Sequence, residues 1–126
     1  QTLASLMDLA KEGVFIAQAL VRRGGSCSRS LSCLAADHRR ALRQLSAAYF
    51  LITGQRYRPP TPSVVINASL PLALRDQFVW EQRWERANQQ AAETTSDACL
   101  KELYQELAQD GVLHAATIRS LLEQMG

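Results

Sequence analysis

Apolar residues recur along this chain every three to four positions in four blocks, the period of a helix with one buried face. The first block, Leu3–Arg23, puts Leu6, Leu9, Phe15, Ile16, Ala19 and Leu20 on a wide apolar face. Gly24-Gly25 stops it. A second helix is expected over about 30–53, with Leu31, Leu34, Leu42, Leu45, Tyr49 and Ile52 inward and Gly54 at its end. Ser28 or Ser30 offers a side-chain oxygen to a free backbone N–H at its start. A third helix is expected over about 70–93, with Ser69 as its cap and Pro71 in its first turn. It runs through Leu74, Phe78, Glu81, Trp84 and Ala92. A break at Thr94–Asp97 precedes a fourth helix over 97–125, capped by Ser96 or Asp97. Its stripe is Leu107, Gly111, His114, Ile118 and Leu121. A glycine inside that stripe costs roughly 1 kcal/mol against alanine, so its presence asks for a reason.

Only Gly54–Ser69 lacks a helical period, and it holds three of the four prolines. Sixteen irregular residues are many for a compact domain. Extended chain covers roughly 3.3 Å per residue, enough to run the length of a roughly 30 Å helix as a crossover. Leu34-Ala35-Ala36-Asp37 is echoed 73 residues later by Leu107-Ala108-Gln109-Asp110, and Leu45 then matches Ile118. This weak repeat suggests a duplicated hairpin. Two short turns flanking one long connection are the topology of ferritin-like four-helix bundles. The expected fold is therefore all-α: two helical hairpins joined by a long crossover, in a single domain over 1–126.

Composition narrows the picture modestly. Apolar residues make up 47% and charged residues 21%, ordinary for a globular protein. A formal charge of +2 gives no argument for nucleic acid or an anionic membrane, and no apolar run reaches the roughly 18 residues of a membrane span. The opening residues QTLASLMDLAKEG carry acids and no basic n-region, so no signal peptide is expected there. Cys27, Cys33 and Cys99 are odd in number and show no CxxC spacing, which argues against a disulfide framework and a zinc ribbon. Reduced cysteines in a cytoplasmic protein are the expectation.

One ionisable residue sits near the middle of each apolar face. Glu12 lies between Leu9, Ile16 and Ala19; His38 between Leu34, Leu42 and Leu45. Glu81 lies between Leu74, Phe78 and Trp84; His114 between Leu107, Ile118 and Leu121. A bundle interior accepts such groups only when they are paired, hydrogen-bonded or bound to a metal. Two imidazoles and two carboxylates suit a single Zn²⁺, Fe²⁺ or Mn²⁺. The alternative is a metal-free network of charge-assisted hydrogen bonds among the same groups. A rotation of ~20–30° leaves Glu81 and Glu85 as rivals for the inward position.

These segments resemble the rubrerythrin and ferritin-like superfamily, which builds a di-iron or di-manganese site from a Glu on each of two helices and a Glu-x-x-His on each of the other two. LAKEGVFIAQAL is similar to the first helix and HRRALRQLSAAYFLITG to the second. VWEQRWERANQQAAETTSD is similar to the third and ELYQELAQDGVLHAATIRSLLEQM to the fourth. The resemblance implies ligands at Glu12, Glu81 and His114, with His38 substituted where the family has Glu. Ala41 stands where it has His, and Gly111 where it has the second bridging Glu. Asp37 and Asp110 match acids that orient the opposite helix's histidine, contacts that fix an imidazole tautomer. Both bridging carboxylates are missing, so a dinuclear oxygen-activating centre is not expected.

The remaining features carry less chemistry. Arg39, Arg40 and Arg43 read as a solvated face; Trp80 and Trp84 read as core or interface anchors. Arg56, Tyr57 and Arg58 sit on the crossover. No phosphate loop, Ser/His/Asp arrangement or nucleotide fingerprint occurs. The expected function is structural or partner-binding, with homodimerisation through helix faces and no nucleic-acid or membrane partner. The alternative is a mononuclear metalloprotein handling iron or peroxide.

Overall fold

The computed structural model describes residues 2–125, and among them the only regular elements are helical. Four long helices form: α1 (Thr2–Arg23), α2 (Ser28–Thr53), α3 (Leu70–Thr94) and α4 (Ala98–Met125). Each bound lies within two residues of the one the hydrophobic pattern predicts. The chain divides into two compact units, Gln1–Ile66 and Asn67–Gly126, each built on one helical hairpin.

In the first unit, α1 buries Leu6, Met7, Ala10, Gly13, Val14, Ala17 and Leu20. α2 answers with Leu31, Leu34, Ala35, His38, Ala41 and Leu45. The hairpin turn is tight. Gly25 adopts φ +53°, a left-handed conformation open to glycine, and Gly25–Cys27 form one 3₁₀ turn that runs into α2. That turn carries the chain straight into α2, whose start has no side-chain cap from Ser28 or Ser30. The backbone N–H groups of Cys27 and Ser28 bond to Gly24 O and Gly25 O. The Ser28 hydroxyl instead donates to Val21 O at 3.0 Å, tying down the end of α1.

The far end of α2 departs from expectation. Ile52 is 54% exposed, and Phe50 and Leu51 are exposed with it. The buried stripe of α2 ends at Leu45, so its last two turns carry no buried residue. Gly54 ends the helix as its pattern predicts, at φ +72°, with its N–H bonded to Phe50 O. The chain then returns along α1. The Tyr57 hydroxyl donates to Asp8 Oδ1, and Lys11 Nζ donates to Pro59 O, both at 2.8 Å. The Arg56 guanidinium lies over the Phe50 ring, 4.6 Å from its centre.

In the second unit both helix starts are capped by side chains. Ser69 Oγ accepts from the Leu72 N–H, with Pro71 in the first turn. Asp97, rather than Ser96, accepts from the Leu100 N–H at 2.9 Å. The α4 stripe is buried as the spacing predicts: Leu107, Gly111, His114, Ile118 and Leu121, joined by Tyr104 and Ala115. Trp80 and Trp84 stack nearly parallel, ring centres 5.9 Å apart, and both are buried.

Candidate metal centre

Helix α3 turns an unusual set of side chains inward. Gln77, Glu81 and Asn88 are buried alongside Leu74, Trp80 and Trp84. Residues 77, 81, 84 and 88 follow the i, i+4, i+7, i+11 progression, so they line one stripe. Glu81 is fully buried, whereas Glu85, one turn on, is only half-buried. The rivalry between the two carboxylates is thereby decided for Glu81.

Helix α4 approaches that stripe closely because of Gly111. A Cβ there would lie 3.1 Å from the Glu81 carbonyl oxygen, 3.1 Å from Glu85 Cβ and 3.2 Å from Glu85 Cα. The glycine noted in the sequence is thus a contact point between two helix backbones. One turn further along the same face, His114 is 5% exposed, and its Nδ1 lies 3.1 Å from Glu81 Oε1. The other carboxylate oxygen, Oε2, accepts from Gln77 Nε2 at 2.9 Å. An ionised carboxylate can only accept, so a hydrogen bond between Glu81 and His114 requires the proton on Nδ1. The amide orientation of Gln77 follows from the same rule. Its Oε1 is then a buried acceptor with no hydrogen-bond partner among the described residues, as is Asn88 Oδ1. Asn88 Nδ2 donates to Trp84 O.

In the first unit His38 is 1% exposed, on the α2 stripe between Leu34 and Leu45. Glu12 is half-buried. The buried stripe of α1 runs through Ala10, Gly13, Val14 and Ala17, and at 100° per residue Glu12 lies roughly 140° round the helix from its centre. Ile16 and Ala19, its expected neighbours, are half-buried on that second face. Asp37 is partly exposed and pairs with Arg40 Nη2 at 3.3 Å; Asp110 is half-buried. Near the start of α4, burial raises the pKa of Tyr104 above its usual 10.0, and the charge of Asp97 adds to the effect.

Glu81 and His114 lie side by side in the second unit, both buried, and each offers a metal-ligand atom. Imidazole and carboxylate donors suit first-row divalent ions. The 3.1 Å between His114 Nδ1 and Glu81 Oε1 is near the edge length of roughly 3.4 Å expected for two ligands on one tetrahedral ion. The donor set does not suit two ions. Glu81 is its one carboxylate, and Gln77 engages the outer oxygen of that group.

Gln77 and Asn88 escaped the sequence reading, which weighed charged residues only. The signal was present: a glutamine four residues before Glu81 and an asparagine seven after it, on a face otherwise carrying leucine and tryptophan. No helix of the described residues is long and apolar enough to cross a membrane. No family model, curated protein or solved structure matches the chain.

Proposed function

We propose that this chain is a divergent ferritin-like protein whose ancestral two-metal site is reduced to a single-ion site that keeps Glu81 and His114 as ligands. The observation that carries this reading is Glu81: a fully buried carboxylate with an imidazole nitrogen at 3.1 Å. Burying a carboxylate is costly unless its charge is matched, and a divalent cation shared with neutral imidazoles matches it. Without bridging carboxylates the site is not suited to two-electron oxygen activation, so the role is holding an ion or stabilising the fold. The four-helix, two-hairpin organisation supports the ancestry.

A metal-free scaffold is the second reading, and one observation favours it. Both oxygens of Glu81 already have partners within the chain, Gln77 and His114. In that case a protonated His114 supplies the compensating charge and the centre is a buried polar network.

Elemental analysis of protein purified without a histidine tag separates the two. The single-ion reading expects about one zinc, manganese or iron per chain, lost in His114→Ala protein shown by circular dichroism to be helical. Added metal should raise the melting temperature, since ligand at a hundred times its Kd stabilises by about 2.7 kcal/mol. Metal-free protein whose melting is indifferent to zinc, manganese, ferrous iron and chelator would overturn it.

A further inference from the structure

The two units carry opposite charge. Gln1–Ile66 holds nine Lys and Arg against three Asp and Glu, a formal +6; Asn67–Gly126 holds five against nine, a formal −4. The small net charge of the whole chain conceals this division. Within the first unit the acids are also engaged: Asp8 accepts from Tyr57, and Asp37 pairs with Arg40.

A groove of about 370 Å³ lies between the C-terminal half of α1 and the N-terminal half of α2. Gln18, Val21 and Arg22 line it from α1; Ser32, Ala35 and Arg39 line it from α2. Arg22 and Arg39 are exposed, and neither has an ion-pair or hydrogen-bond partner among the described residues.

We propose that this groove binds a phosphate-type oxyanion. Two arginines reaching in from different helices present two planar forks of N–H donors, the geometry that engages tetrahedral oxyanions two oxygens at a time. The Ser32 hydroxyl and the Gln18 amide add uncharged donors beside them. A carboxylate can bridge two guanidinium groups with its two oxygens, but phosphate has further oxygens for the Ser32 and Gln18 donors and carries more charge. The excess of positive charge over the whole first unit raises the local concentration of anions. This site lies entirely within α1 and α2 and shares no residue with the candidate metal centre.

The test is a titration with inorganic phosphate at constant ionic strength, held by chloride and followed by calorimetry. Wild-type protein is compared with the double variant R22Q/R39Q and with R43Q, a basic position of α2 outside the groove. Saturable binding in wild type and R43Q, weakened about tenfold or more in R22Q/R39Q, is the expected result. All substituted positions are exposed, so the variants keep the helical fold, checked by circular dichroism. Equal affinity in R22Q/R39Q and wild type, or no saturable binding, overturns the proposal. A second arm uses vesicles of phosphatidic acid against phosphatidylcholine. Vesicle binding that needs Arg22 and Arg39 identifies a lipid headgroup as the source of the phosphate; binding confined to inorganic phosphate identifies a soluble one.

Discussion

Replacing Gly111 by alanine sets two effects of opposite sign against each other. Helix propensity alone favours alanine by about 1 kcal/mol, because glycine loses more backbone freedom on folding. Packing opposes it. The added methyl would meet three atoms of α3 at 3.1–3.2 Å, where ordinary contact begins near 3.4 Å. These atoms are a backbone carbonyl oxygen, a Cα and a Cβ, none of which can rotate aside. Helix α4 must withdraw by a few tenths of an ångström, and overpacking of this kind costs about 1–3 kcal/mol. The withdrawal also acts on His114, one turn away, and lengthens its 3.1 Å contact with Glu81. Packing should therefore win, and Gly111→Ala should destabilise the protein by about 1 kcal/mol net. Urea unfolding with an unchanged m-value is the assay, since a shift in midpoint at constant slope reports stability alone. A variant as stable as the parent, or more stable, would refute the close approach.

Three further predictions follow from neighbouring features. Asp97→Ala should cost about 1 kcal/mol by removing the acceptor of the Leu100 N–H, measured by urea unfolding, whereas Ser96→Ala should cost nothing measurable. Gln77→Leu should be mild, about 1 kcal/mol or less. It removes one hydrogen bond to Glu81 but also removes a buried Oε1 that has no partner, and the two changes offset. Tyr104 has a folded-state pKa raised above 10.0, so the native state holds that proton more tightly than the unfolded chain. Its contribution is complete below pH 10.0 and is lost as pH rises through the folded value; Tyr104→Phe should unfold less readily on alkaline titration than the parent.

The helices were legible because four blocks of apolar residues keep a strict period and end at glycine, proline or a capping side chain. Fine rotation was legible only where the apolar face is narrow. On α4 a single stripe admits one orientation, and all five of its expected members are buried. On α1 apolar and small residues occur nearly all round, so the pattern could not tell the buried face of Val14 and Ala17 from the half-buried face of Glu12 and Ile16. Glu81 and Glu85 differ by one turn and a modest rotation, and only the position of Gly111 against both of them fixes which points inward. A capping residue is recognised by type, and type alone could not show that the 3₁₀ turn runs straight into α2 while the Ser28 hydroxyl donates back to Val21 O. The charge division between the units was open to counting from the start, once the chain was cut at residue 66.

The exposed end of α2 carries a dynamic consequence. The final turn of α2 is held by its own backbone bonds and a glycine cap, with little packing beneath it. Amide protons of residues 50–53 should therefore exchange with deuterated water well ahead of those at residues 34–45, although both sets belong to one continuous helix. A single rod would thus contain a slow segment and a fast one, and the border between them would mark where its buried stripe ends.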